Sequence, residues 1–102
     1  MLRAVADTIT RHKPVDAEVI RFGGEEFLIK LPDTDGEHAV IYAEQLRQVI
    51  SQIKLPGVSQ LITCSIGVKE LEGESLDEWL NASDKALYKA KNAGRNRVIQ
   101  AP

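Results

Sequence analysis

A pair of adjacent glycines, Gly23-Gly24, restricts the possible folds of this chain more than any other segment. Short runs of strand-forming residues lie on both sides of the pair, over residues 18–22 and 26–31. Glycine adopts the backbone conformations of tight turns without steric strain, and two such runs around it are typical of a β-hairpin. The sequence therefore predicts a hairpin in the first third of the chain.

Two amphipathic helices are predicted before and after this hairpin. Apolar residues recur at helical intervals over residues 2–12 and again over residues 37–53. Thr34 and Glu37 have the spacing of a capping box, in which each side chain bonds to the backbone of the other residue. We therefore expect the second helix to begin next to Thr34.

A third helix is predicted near the end of the chain. Ser75 and Glu78 form another capping-box pair, and the helical pattern continues to about Asn92. Gly94 stands where a left-handed residue commonly ends a helix. Within this helix the apolar spacing assigns four residues to the core rather than to ligand contacts: Trp79, Leu80, Leu87 and Tyr88.

Strand-like residues 60–69 precede the third helix, and Val98 and Ile99 follow it. The resulting order is α-ββ-α-β-α-β, without repeats or an internal linker. Such an order predicts an α+β fold, with helices packed on a mostly antiparallel sheet, and residues 1–102 forming one domain.

Charge and cysteine content exclude several functions. The net charge is −2 and the sequence pI about 5.7, which gives no overall electrostatic attraction to nucleic acid or to an anionic membrane. The single Cys64 cannot form an internal disulfide, and its apolar neighbours predict a buried structural thiol. These features predict a cytoplasmic protein. His12 and His38 lack partners at metal-ligand spacing and are expected at solvent-facing or capping positions.

The acidic residues after the glycine pair are the first candidates for chemistry. Consecutive side chains in an extended segment point to opposite faces, so Glu25 and Glu26 are not expected to share one environment. Two interpretations fit the residues alone. One is a hairpin turn followed by solvated acids, and the other is a metal-binding carboxylate beside a bound nucleotide.

Three segments in order resemble the motifs of the GGDEF family. Residues 23–27 (GGEEF) are similar to its signature motif, and residues 63–68 (TCSIGV) are similar to its T-x-S-x-G strand. Residues 82–96 resemble its A-x-D-x-A-L-Y-x-A-K-x-x-G-R-N helix end. The resemblance extends over essentially the whole chain.

The resemblance implies an activity and a fold. GGDEF proteins are diguanylate cyclases, which condense two GTP into cyclic di-GMP with release of pyrophosphate. Their domains have a ferredoxin-like, nucleotidyl-cyclase palm sheet with flanking helices. They use two Mg²⁺ or Mn²⁺ ions, and two domains face each other, each with one GTP. A second GGDEF domain is therefore an implied partner.

The resemblance also implies roles for single residues. Glu25 matches the family's metal ligand and proposed proton acceptor, and Glu26 a second acid near the metals. Gly23 and Gly24 match residues that pass close to the nucleotide.

Lys91 and Arg95 match the pair that holds the GTP phosphates. They are four residues apart, which predicts that both lie on the same side of the helix end. The alternative from the residues alone is a solvated basic helix terminus.

Two departures from the family pattern limit these implications. Family members open with a central strand that carries a metal-binding aspartate, whereas this sequence opens with a helix. We therefore expect the chain alone to lack cyclase activity, and to close the gap by rearranging its strands or by intermolecular pairing. The alternative to closing the gap is that the chain is one piece of a longer protein. The alternative function is a non-catalytic GGDEF-type module for nucleotide binding or dimerisation. Lys13–Asp16 also replaces the family's R-x-x-D, which removes support for product inhibition.

Overall fold

Three helices and four strands follow one another in the residues that the computed structural model describes, namely 2–21, 26–57, 59 and 62–102. The predicted α-ββ-α-β-α-β order is confirmed. The elements are α1 (Leu2–His12), β1 (Glu18–Arg21), β2 (Phe27–Lys30), α2 (Gly36–Ser51), β3 (Ile66–Val68), α3 (Leu76–Asn92) and β4 (Val98–Gln100).

The described strands form two separate pairs. Strands β1 and β2 are antiparallel, with Val19 opposite Ile29, as the hairpin signal predicted. Strands β3 and β4 are parallel, with Ile66 opposite Val98, so the expectation of a mostly antiparallel sheet is wrong for this pair. The reason is the crossover through α3, which returns the chain to the end from which β3 started.

An open groove of about 1670 Å³ separates the two strand pairs. Residues of β2 such as Phe27 line one side, and residues of β3 such as Ile66 line the other. The prediction that the chain closes this gap by rearranging its own strands is therefore wrong. Intermolecular pairing stays a prediction.

Strand β3 is shorter than the strand predicted over residues 60–69. Only Ile66–Val68 pair with β4, while residues 62–65 have no ladder partner in the described part of the chain. Strand structure needs a neighbour for its backbone groups, and the groove supplies none on that side.

Helix α2 begins one residue later than the predicted capping box implies. Asp35 is the N-cap, and its side chain accepts a hydrogen bond from the His38 backbone N–H at 2.8 Å. Thr34 instead donates its hydroxyl hydrogen to the Pro32 carbonyl at 2.9 Å. At the start of α3, both bonds of the predicted Ser75–Glu78 box are present.

A buried apolar cluster joins α1 and α2 to the segment before β3. Ile9, Leu46, Ile50 and Ile62 are buried together, and half-buried apolar side chains of the hairpin pack against them. None of the described helices is long and apolar enough to cross a membrane.

Helix α3 packs closely on β3 at Gly67. A Cβ atom at this position would lie 2.9 Å from Leu87 Cα and closer still to the Ser83 carbonyl oxygen. Ala86 and Ala90 face inward on the same helix, and Ala90 is 0% exposed. Small side chains on both elements therefore let the two backbones approach each other.

We expect Gly67→Ala to lower the free energy of unfolding by about 3 kcal/mol, because backbone atoms cannot move aside as a flexible side chain can. Urea unfolding followed by circular dichroism measures this loss. Gly57→Ala is the matched control: its φ of +77° strains an alanine by about 1 kcal/mol, but nothing lies within 4 Å of the added carbon. Equal losses in the two variants would contradict the close packing at Gly67.

Candidate functional site

Three of the residues predicted to form the site line the same groove. Glu26 lies beside β2, Lys91 in the last turn of α3, and Arg95 in the turn that follows. Glu26 and Lys91 are half-buried and Arg95 is exposed. The predicted residues Gly23, Gly24 and Glu25 lie outside the described residues.

The predicted end of α3 near Asn92 and the left-handed conformation of Gly94 are confirmed. The helix ends at Asn92, so the two residues are not four apart on one continuous helix. Gly94 has a φ of +120° and Arg95 a φ of +62°, and the Arg95 N–H donates to the Ala90 carbonyl at 2.9 Å. This bond is typical of a Schellman helix end. A left-handed turn therefore brings Arg95 to the groove that Lys91 lines.

Both of these cations lack a neutralising partner in the described residues. No hydrogen bond or ion pair there involves the Lys91 ammonium or the Arg95 guanidinium, although Asp84 also lines the groove. By contrast, Lys69 lies 3.0 Å from Glu72. The wider lining of the groove also contains acidic side chains, so any attraction for an anion is confined to the end where Lys91 and Arg95 lie. Ammonium and guanidinium groups are the usual partners of phosphate oxygens.

The described residues do not by themselves fit a site for two divalent ions. Glu26 is the only predicted metal ligand among them, and they contain no cluster of three or more His, Cys, Asp or Glu side chains that could hold a metal. Mg²⁺ requires about six oxygen ligands. Most ligands of such ions would have to come from groups other than the described residues.

Sequence reasoning did not single out one contact that bears on the Arg95 turn. Arg47 of α2 donates from Nη1 to Asn96 Oδ1 at 2.8 Å, across a separation of 49 positions. Asn96 could have been noticed as the last residue of the helix-end motif. No local pattern, however, indicates which distant residue it meets.

The side chains assigned to the core of α3 differ in burial. Trp79, Leu80 and Leu87 are half-buried and line the groove. Tyr88 is 66% exposed, so its assignment to the core is wrong. At 3.6 residues per turn it lies on the opposite side of α3 from the buried Ala86 and Ala90. His12 and His38 are exposed, as predicted.

Cys64 lines the groove but is not a reactive thiol. It is half-buried, and burial raises its pKa to about 11 from an ordinary value of 9.0. The thiolate is the nucleophilic form, and this shift makes it about a hundred-fold scarcer at neutral pH.

We expect folded Cys64 to react with dithiodipyridine at pH 7.5 about ten-fold more slowly than the same thiol in urea, because the loss of thiolate is partly offset by the higher nucleophilicity of a thiolate with a raised pKa. Because Cys64 is the only cysteine, absorbance reports this site alone, and Cys64→Ala gives the blank. The raised pKa also predicts that stability is full below pH 9 and falls as the pH rises to about 11. Equal rates in folded and unfolded protein would contradict the assignment.

Comparison with known sequences identifies relatives over nearly the whole chain. Residues 1–97 match the family model described as diguanylate cyclase, GGDEF domain. The diguanylate cyclase DgcM of Escherichia coli K12 is 46% identical over 84 residues. That alignment covers 81% of this chain but 20% of DgcM, so the chain spans about a fifth of the length of this curated relative.

Solved structures show the same fold. The coiled coil and GGDEF domain of DgcB from Caulobacter crescentus, in complex with c-di-GMP, matches with a TM-score of 0.90 and 32% identity. The match covers 98% of this chain and 56% of the DgcB chain. The active GGEEF domain of a diguanylate cyclase from Vibrio cholerae matches with a TM-score of 0.89 and 34% identity, covering 99% of this chain and 66% of that one.

Proposed function

The chain belongs to the GGDEF family, and from that premise we propose that it is a segment of a diguanylate cyclase catalytic domain. In the intact protein this domain condenses two GTP into cyclic di-GMP and releases pyrophosphate. The family match over residues 1–97 supports the proposal. Since GTP is a cytoplasmic metabolite and the only cysteine is a free thiol, we also assign the protein to the cytoplasm.

The observation that carries the proposal is a pair of cations on the groove that have no ion-pair partner among the described residues. Lys91 and Arg95 come from the helix end and from the turn beyond it, and both line the groove. A triphosphate offers several anionic oxygens in a row, which suits two cations from adjacent positions. We assign Lys91 and Arg95 to the GTP phosphates.

The acidic residues at the hairpin complete the proposed chemistry. We assign Glu25 as the carboxylate that accepts the proton of the attacking 3′-hydroxyl, and Glu25 with Glu26 as ligands of Mg²⁺ or Mn²⁺. When bound, such ions neutralise the charge that develops during phosphoryl transfer. Gly23 and Gly24 carry no side chain and let the backbone approach the nucleotide closely.

Catalysis also requires a second domain. The product joins two nucleotides, and we propose that each of two facing GGDEF domains holds one GTP. The 3′-hydroxyl of each GTP then attacks the α-phosphate of the other. Orientation of the two nucleotides by two rigid domains supplies much of the rate enhancement in such a reaction.

A second candidate function is a non-catalytic module that binds nucleotide or mediates dimerisation. The observation in its favour is the small number of metal donors in the described residues. It applies to the 102-residue chain taken alone, and the two candidates share the same phosphate-binding cations.

We expect the chain to bind GTP, and Lys91→Gln and Arg95→Gln each to weaken the affinity about ten-fold or more, because a hydrogen bond to a charged group contributes about 1.5–3 kcal/mol. Isothermal titration calorimetry measures the change. Lys85→Gln is the matched control, since Lys85 is exposed on α3 and lies outside the lining of the groove. Equal affinities in all four proteins would refute the assignment of the phosphate site.

Cyclase activity provides a separate test of the proposed role of Glu25. We expect the 102-residue chain to form no cyclic di-GMP from GTP and Mg²⁺, and the longer protein to form it. In the longer protein, Glu25→Gln is expected to abolish turnover, because an amide cannot accept the proton. Chromatographic detection of cyclic di-GMP measures both. Unchanged turnover in the Glu25→Gln variant would show that this acid has no catalytic role.

A further inference from the structure

The turn that presents Arg95 to the groove has an unfavourable backbone conformation. Three consecutive residues are left-handed: Gly94 at a φ of +120°, Arg95 at +62° and Asn96 at +47°. Glycine adopts such angles freely and asparagine tolerates them, but arginine does so at a conformational cost. Contacts outside the turn must therefore hold it in place.

Backbone contacts fix both ends of this turn. The Arg95 N–H donates to the Ala90 carbonyl at 2.9 Å, and the Ile66 N–H donates to the Arg97 carbonyl at 2.9 Å. The Arg97 side chain also donates from Nε to the Arg95 carbonyl at 3.1 Å. These bonds connect the turn to α3 and to β3.

Asn96, the last of the three left-handed residues, is held by a side chain of α2. Arg47 Nη1 donates to Asn96 Oδ1 at 2.8 Å. The Arg47 guanidinium is itself oriented by Glu44, which accepts from Nε at 3.0 and 3.1 Å and also pairs with Nη2. The Arg47 side chain is 18% exposed and lies outside the lining of the groove. A planar guanidinium fixed on one side by a carboxylate holds its remaining N–H groups in a defined direction.

We propose that Arg47 is a positioning residue for the anion site, acting through Asn96 to keep the Arg95 guanidinium on the groove. Arg47 does not touch the bound anion in this arrangement. It removes conformational freedom from the Arg95 turn before binding, so less ordering remains when a phosphate arrives. The inference rests on the proposed function, because it takes Arg95 as a phosphate ligand.

The test is a double-mutant cycle on pyrophosphate binding to the 102-residue chain, measured by calorimetry. Arg47→Gln removes the donor. Asn96→Gly removes the acceptor but retains a residue that tolerates the left-handed conformation, with no change in charge. We expect each to weaken pyrophosphate affinity about two- to ten-fold, the range for ordering one long side chain. The double variant should bind pyrophosphate as tightly as the single variant with the lower affinity, because both substitutions remove the same interaction.

A second readout separates positioning from direct contact and from loss of structure. Salt weakens pyrophosphate binding in proportion to the charged contacts made. Asn96→Gly should therefore keep the salt dependence of the unmodified chain, whereas Arg95→Gln should reduce it. Arg11→Gln, which removes an exposed arginine of α1, controls for the loss of net charge in Arg47→Gln. Urea unfolding midpoints confirm that each variant is folded.

The possible failures can be told apart. If the unmodified chain does not bind pyrophosphate, or binds it equally well after Arg95→Gln, the proposed function fails and the inference fails with it. If Arg95→Gln weakens binding but Arg47→Gln and Asn96→Gly do not, the positioning role alone is overturned. Additive losses in the double variant would also overturn it, because they would mean that Arg47 acts by a route other than Asn96.

Discussion

The contact of α3 with β3 at Gly67 sets the position of the two groove-lining cations, Lys91 and Arg95. Because no side chain separates the two backbones there, the helix lies at a fixed height above the strand. The end of α3 therefore reaches the groove at Lys91, and the chain can turn back through Arg95 to lay β4 beside β3. A single methyl group at position 67 would displace the groove-lining cations Lys91 and Arg95 and the parallel strand pair together.

Helix α2 connects this half of the molecule to the other. On its inner face, Leu46 and Ile50 belong to the apolar cluster with α1 and the hairpin. The residue after Leu46, Arg47, reaches the turn that contains Arg95 and bonds to Asn96. The N-terminus of α2 is also held in place. The Gly36 N–H donates at 2.6 Å to the carboxylate of Glu70, which lies in the segment after β3. Packing in the core and orientation at the site thus depend on the same helix.

Local patterns predicted the element order and the Ser75–Glu78 cap, because these depend on residues close together in the sequence. The same reasoning was wrong at Thr34, because the neighbouring Asp35 is the N-cap of α2. The same local reasoning placed the end of α3 near Asn92 and a left-handed residue at Gly94, but it could not show that Arg95 and Asn96 are left-handed as well. The Arg47–Asn96 bond joins residues that only the fold brings together.

The fluorescence of Trp79 can report whether the groove is filled. It is the only tryptophan, it lines the groove, and its indole N–H donates to the Lys69 carbonyl at 2.7 Å just after β3. Indole emission depends on the polarity around the ring. Anything that fills the groove, whether a nucleotide or an added strand, replaces water beside this ring and so shifts the fluorescence of the unlabelled protein.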